Sequence, residues 1–403
     1  MPSFDIKSIS RAENPFPALA QLRKQDPVHW SPAFKGWILT RYDDVRKALR
    51  SPQYSSDRLR PFFESLPVQK AKELADLKHF IPLWLVFHQP PTHTRLRTIM
   101  TPGFLPSVIA RMRPKIEALV DDLIDEFIDR GSVEFIDDFA LRLPGYVIMD
   151  LLGVPRSDLP MIKTWSDELQ LFIGGSKVTV DKYAKAQHGT HAMAEYFREV
   201  IRRKRAHPEQ DFISMLIDAR DETGQMSEDE LITTCILLVF GGHETTTNLL
   251  GNGLLALIRN PGELEKLRAN PALAATAVEE CLRYDGPSGS VVRIVSEDHE
   301  LEGKLLRKGD RVFAMIPAAN RDPAQFSNPD KFDIERSKSA HLTFGQGVHF
   351  CLGAPLARAE AIAAFPKLVS RLHDIHVTTD KLEWRDATVM RGITSLPLAF
   401  RRA

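Results

Sequence analysis

About thirty residues between Ser227 and Pro261 read as one unbroken helix, and that element limits what the rest of the chain can become. Ser227 and Glu230 form a capping-box pattern at its start, in which hydroxyl and carboxylate satisfy each other's backbone N–H groups. At roughly 1.5 Å per residue the helix spans ~45 Å, enough to cross the whole molecule. Asn260-Pro261 and Asn270-Pro271 each look like an N-cap followed by proline at the first position of a further helix. A chain of 403 residues exceeds a typical single core, so two subdomains around one site would be unsurprising within a single domain over 1–403.

The other elements are read from their punctuation. A short helix is expected after Asn14-Pro15. Pro27-Val28-His29-Trp30 and Gly36-Trp37-Ile38-Leu39-Thr40 have hairpin character, and Tyr42-Asp43-Asp44-Val45 opens a helix. Residues 51–92 are rich in proline and aromatics and read as a long irregular loop, a kind of segment that is often functional. From about 93 to 373 the chain reads as mostly helical, with a short helix bracketed by Pro144 and Gly153-Val154-Pro155, while the last quarter mixes loops, one helix near 352–373 and short strands. Leu396-Pro397-Leu398-Ala399-Phe400 is a short strand. The expected fold class is therefore mainly α with a smaller β-rich region, its β-rich portions near 27–41 and 375–403.

Composition excludes several function classes. Hydrophobic residues make up 43% and charged residues 26%, an ordinary globular balance. Basic and acidic residues cancel at 53 each, so no global field recommends nucleic acid or an anionic membrane as partner. Cys235, Cys281 and Cys351 are far apart and carry no zinc or iron–sulfur spacing. The start Met1-Pro2-Ser3-Phe4-Asp5-Ile6-Lys7 lacks the charge and apolar run of a signal peptide. The most apolar stretch, Cys235 to Phe240, is far too short to cross a bilayer. The expected location is the cytoplasm, without a membrane anchor.

The chemistry concentrates in two segments. Phe344-Gly345-Gln346-Gly347-Val348-His349-Phe350-Cys351-Leu352-Gly353 places glycines where backbone must approach a flat cofactor. Cys351 directly precedes a good helix, whose positive end favours thiolate over thiol. In the middle of the long helix, Gly241-Gly242-His243-Glu244-Thr245-Thr246 sets polar residues in an otherwise apolar element. The two glycines allow close approach of a ligand, and a hydroxyl beside a carboxylate can relay protons.

The cysteine segment resembles the haem-ligand signature of the cytochrome P450 family. Phe344, Gly345, Gly347, His349, Cys351 and Gly353 stand at the expected places, and the similarity extends through nearly the whole chain. It is greatest to the soluble bacterial enzymes that use separate redox partners. The resemblance implies the cytochrome P450 fold, haem b (iron protoporphyrin IX) and insertion of one atom of dioxygen into an apolar organic substrate. It implies Cys351 as the iron ligand, Glu244 as the acid and Thr245 as the alcohol that hydrogen-bonds the bound dioxygen or its water. It places propionate contacts at His93, Arg97, Arg293 and His349, and cofactor packing at Phe344, Gly345 and Gly353.

Glu280 and Arg283, three apart, share one helical face; the family joins them to an arginine of a later loop, here Arg336, in a structural network. By resemblance the distal pocket includes Leu83, Trp84, Leu85, Val86, Leu237, Phe240, Gly241, Ser288, Gly289, Ser290 and Leu396, with the small residues at 288–290 leaving space near the iron. Residues 160–195 would form its roof. Gln89-Pro90-Pro91-Thr92 departs from the acidic residues many relatives carry there, which bears on how that loop is anchored.

The chain has no flavin or nicotinamide glycine fingerprint and no cysteine cluster. Electrons are therefore expected from a ferredoxin or flavodoxin with its reductase, and Arg95, Arg111, Arg113 and Arg358 are candidates for its docking face. Glu244 and Thr245 argue against a peroxide-driven enzyme or a haem protein that only binds gas, since neither needs a proton relay.

Overall fold

Asn14 begins the first helix, Phe16–Gln25, by accepting the N–H of Phe16 at 3.3 Å. The chain then forms the expected hairpin, with Val28–Ser31 antiparallel to Gly36–Leu39. The helix Tyr42–Arg50 follows, its first N–H held by Asp322 Oδ2 at 2.8 Å. The computed structural model describes residues 12–175, 179–221, 224–337 and 339–403, so Met1–Lys7 lies outside the described residues. The chain divides into two compact units. One holds the residues up to Tyr54, Pro106–Pro144 and Glu244–Ala403; the other holds Ser55–Leu105 and Gly145–His243.

In the first unit the hairpin belongs to a larger sheet. Gly36–Leu39 runs parallel to Arg311–Met315, which pairs antiparallel with Ser290–Val295. Gly36 is needed for this approach, because a Cβ there would lie 2.7 Å from the Arg311 carbonyl oxygen. Val28, Leu39, Val45, Val312, Ala314 and Leu342 are fully buried between this sheet and its helices, each larger side chain contributing about 1.5–3 kcal/mol on burial.

The strands Ser290–Val295 and His299–Leu301 fall inside the stretch read as mostly helical. The β-branched run Val291-Val292, Ile294-Val295 carries the missed signal. So does Glu302-Gly303, where both residues take positive φ and join His299–Leu301 to Lys304–Leu306. At the C-terminus Leu372–Val377 pairs with Pro397–Arg402, which pairs in turn with Ser132–Glu134.

In the second unit, much of the segment expected to be an irregular loop is helical. Arg60–Glu64, Val68–Glu73 and Ala75–Phe80 are short helices. Pro61 lies in the first turn of one and Pro67 directly before another, positions proline tolerates because helix-start N–H groups have no intrahelical acceptor. Two long helices, Leu159–Ile173 and Lys182–Ala206, pack closely at Gly189, where a Cβ would meet the Trp165 carbonyl oxygen at 2.5 Å. Part of the expected roof, 176–178, lies outside the described residues.

The central helix runs from Glu228 to Arg259 without interruption through its glycine pair. The capping box forms: Ser227 N–H donates to Glu230 Oε2 at 2.9 Å and Glu230 N–H to Ser227 Oγ at 3.2 Å. Asn260 differs from expectation. Its amide donates back to the Ala256 carbonyl at 2.8 Å, so it closes the central helix instead of capping the next one. Asn270 does cap, accepting the Ala272 N–H at 3.2 Å. Among the described residues no helix is long and apolar enough to cross a membrane.

Candidate active site

Only one of the three thiols is placed to meet a ligand. Cys235 and Cys281 are fully buried, and burial raises both thiols far above their ordinary range. Cys351 is partly exposed. Its loop is folded by a Cys351 N–H bond to the Phe344 carbonyl at 2.8 Å and by left-handed backbone at Gly345 and Gly347, φ 71° and 70°. Glycine has no Cβ penalty in that region. Leu352 and Gly353 make a turn, and the following helix is Ala354–Arg371, so the cysteine stands a few residues before the helical positions. A Cβ on Gly353 would meet nothing within 4 Å. Phe344 is covered by the Arg358 guanidinium, 4.6 Å from its ring centre.

The faces of the central helix sort its residues. Leu237, Gly241 and Thr245, spaced four apart on one face, are partly exposed, whereas Phe240 and Glu244 are almost completely buried. The two glycines are not equivalent. A Cβ on Gly241 would project into open space, whereas one on Gly242 would touch Ile148 at 3.2 Å. Gly241 thus belongs with Thr245 on the open face, and Gly242 serves helix packing.

A second face carries Glu244, Asn248 and Asn252, and a loop of the C-terminal region docks on it. That loop is a narrow antiparallel excursion: Thr394 N–H bonds the Glu383 carbonyl and Arg385 N–H the Gly392 carbonyl, both at 2.9 Å. Gly392 packs so closely that a Cβ would lie 1.9 Å from Asn248 Oδ1. Asn252 Nδ2 donates to the Arg391 carbonyl at 3.2 Å, and Arg391 is itself paired with Asp285 at 2.6 Å and stacked on Trp384. Within this arrangement Arg385 Nη1 stands 3.6 Å from Glu244 Oε2. The sequence reading missed Arg385, because nothing near it in the chain marks it; the tightly packed Gly392 was the available signal.

The charged network is assembled as a compact set. Arg283 donates to both carboxylate oxygens of Glu280 at 2.7 Å, and Arg336 Nε donates to Glu280 Oε2 at 3.1 Å. Arg283 also donates to the carbonyls of Asn320, Pro329 and Lys331. Both Glu280 and Arg283 are fully buried, so loss of either would strand the other's charge.

His93 and Arg97 lie one turn apart on the helix Thr92–Met100. Burial, reinforced by Arg97 and His88, holds the His93 imidazole down at about 4, so it is neutral near pH 7. The segment before it is anchored by neutral groups: Gln89 Nε2 donates to Ser56 Oγ at 3.1 Å, and Ser56 Oγ donates to the His88 carbonyl. In the first unit Arg293 is buried on the strand Ser290–Val295, and His349 ends the turn Gly347–His349.

The pocket residues divide. Val86 is exposed, Leu85 is buried, and Trp84 packs on Phe240 with ring centres 5.2 Å apart. The small residues at 288–290 do not leave space. Gly289 N–H bonds the Val389 carbonyl at 2.9 Å, and a Cβ at Gly289 would lie 2.7 Å from the Thr388 carbonyl oxygen. They admit the strand-like stretch 388–390 instead, which makes Val389 and Met390 the C-terminal neighbours of Ser288. Leu396 is fully buried, with its carbonyl accepting the Phe135 N–H.

Comparison with known proteins identifies the family. A family model described as Cytochrome P450 matches residues 169–383. The chain is 36% identical over 390 residues to the biotin biosynthesis cytochrome P450 of Bacillus subtilis (strain 168), with 96% of each protein covered. It is 35% identical over 412 residues to the cytochrome P450 monooxygenase PikC of Streptomyces venezuelae, covering all of this chain and 95% of that one. Among solved structures, P450BioI in complex with an acyl carrier protein ligated with hexadec-9Z-enoic acid superposes with a TM-score of 0.90 at 36% identity, covering 96% of this chain and 98% of that one.

Proposed function

The chain belongs to the cytochrome P450 family and is a haem monooxygenase, and from that premise we propose that Cys351 holds haem b while Glu244 and Thr245 deliver the protons needed to activate dioxygen. The observation that carries this reading is the division of the central helix, with Thr245 on its open face and Glu244 buried beside it. The residues fit the cofactor: one reachable thiol, and glycines at 241 and 353 with nothing where a Cβ would stand. His93, Arg97, Arg293 and His349 would meet the propionates, whose charges need cationic or donor partners near an apolar site. Phe344, Gly345 and Gly353 would pack against the ring. When bound through a thiolate, the group supplies an electron-rich iron that favours O–O cleavage.

Each protein group then has a definite task. Glu244 is kept in place by Arg385 and can pass a proton toward the neighbouring Thr245 hydroxyl, which presents it on the open face. A bound apolar substrate against this open face would displace water from it, so that protons would arrive by the relay and not from bulk solvent. The substrate is an apolar organic molecule. The test is turnover with an added ferredoxin, its reductase and reduced nicotinamide. Substrate-dependent nicotinamide consumption with a singly oxygenated product is expected; a chain that binds haem but shows no such consumption with any ligand that displaces the iron-bound water would overturn it.

The donor, a ferredoxin or flavodoxin, would dock on the helix Pro106–Asp125. That helix lies along the one following Cys351, tied to it by Lys367 and Asp121 at 2.5 Å and by Arg371 and Asp125. Of the four arginines considered, Arg95 is paired with Glu230 and Arg358 with Glu279. Arg111 and Arg113 are exposed, with no carboxylate within 4 Å among the described residues. Reversing both to Glu is expected to slow reduction by an acidic ferredoxin about tenfold or more at low salt, with the difference shrinking as salt screens it. Peroxide-supported turnover, which bypasses the donor, should be unchanged; an equal loss of both activities would refute the docking face.

A further inference from the structure

Three buried arginines of this molecule reach a carboxylate. Arg283 holds Glu280, Arg391 holds Asp285 and Arg321 holds Asp330. Arg58, in the second unit, does not. Its side chain is partly buried, and among the described residues its one acceptor is the Ile173 carbonyl, at 3.4 Å. Its guanidinium stands 5.3 Å from the centre of the Phe87 ring. The adjacent carboxylate, Asp57, is turned to Arg60 at 3.1 Å. Burial lowers the Arg58 guanidinium to about 10, and no acidic group among the described residues offsets it.

An enclosed cation without a counter-charge is costly, and an aromatic face returns only part of that cost. Ile173, whose carbonyl Arg58 meets, follows Phe172, whose ring lies 5.6 Å from that of Phe62. Phe87 in turn stacks on Trp84 with ring centres 5.9 Å apart, and Trp84 packs on Phe240, the residue before Gly241. The guanidinium is thus linked by two aromatic steps to the buried Phe240 of the central helix, the neighbour in sequence of Gly241.

We propose that Arg58 is the anchor for the head of an amphipathic, carboxylate-bearing substrate whose apolar body extends toward Gly241. A single planar guanidinium with two parallel N–H donors matches a monoanionic carboxylate; a dianionic phosphate would need more cationic partners than this position offers. The assignment rests on the haem monooxygenase reading and deepens it by naming the substrate class.

The experiment uses the haem-loaded full chain and two matched pairs of probes with different bodies, hexadecanoic acid with its methyl ester and lithocholic acid with its methyl ester. Dissociation constants are measured by calorimetry and by the absorption change when iron-bound water is displaced. For at least one pair the acid is expected to bind at least about tenfold more tightly than the ester, the range of a charge-assisted hydrogen bond. In Arg58→Gln that preference is lost while the ester's affinity is unchanged, and Arg58→Lys keeps part of it. Equal binding of acid and ester in both pairs, failure of every probe to bind, or equal weakening of acid and ester in Arg58→Gln overturns the anchor. Absence of the thiolate-type carbon monoxide band in the unmodified protein would instead overturn the underlying haem reading.

Discussion

Cys351→Ala is expected to abolish the strongly red-shifted absorption band of the reduced carbon monoxide complex, together with monooxygenase turnover. The two other thiols offer no substitute, since both are fully buried and burial disfavours their ionised form. Cys351 alone is partly exposed, and its loop owes its shape to backbone groups: the bond from its own N–H to Phe344 and the left-handed glycines. Removing one sulfur atom leaves those groups in place. The variant should therefore keep its far-ultraviolet circular dichroism and its cooperative melt while losing the band. Retention of the band in Cys351→Ala would sink the ligand assignment; loss of folded signal would show that the loop depends on more than its backbone.

The second large effect is on coupling. Thr245→Ala should bind haem and substrate with little change, yet divert most reducing equivalents to hydrogen peroxide, lowering product per nicotinamide by on the order of tenfold or more, the lower side of what a positioned proton donor contributes. The structural reason is that Thr245 is partly exposed on the open face, so its hydroxyl can serve the reaction without holding the core. Glu244 is the opposite case: it is buried, beside Arg385, on the face where Asn248 and Asn252 meet the C-terminal loop. Thr245→Ser, which keeps the hydroxyl, should restore coupling. Unchanged coupling in Thr245→Ala would remove Thr245 from the relay.

Legibility followed the range of the interactions. The helix Glu228–Arg259, its capping box, the hairpin at 28–39 and the helix after Cys351 all depend on neighbours a few residues apart, and each could be read directly, although that last helix starts at Ala354 and not at Leu352. The strand Ser290–Val295 was missed although β-branched residues mark it, because it follows a helical stretch and belongs to a sheet completed through Arg311–Met315 by Gly36–Leu39, far away in the chain. Asn260 was misread because two local hydrogen bonds compete for its side chain, and the sequence pattern shows only one of them.

What the chain determined by itself was therefore its chemistry: a cysteine among turn-forming glycines, and an acid next to an alcohol in an apolar helix. Those are local juxtapositions, and backbone geometry alone constrains them. Which partner each group meets was decided only by tertiary structure. Gly289 looked like a device for leaving space and instead admits the carbonyl of Thr388. Arg385 lies far along the chain from Glu244 and reaches it because Gly392 lets a loop press against Asn248. Arg58 carries no mark in the sequence; folding places it against Phe87 and Ile173, with no acidic group among the described residues to offset its charge. Long-range electrostatic pairing depends on which surfaces the core brings together, and hydrophobic periodicity, being indifferent to the partner, does not encode it.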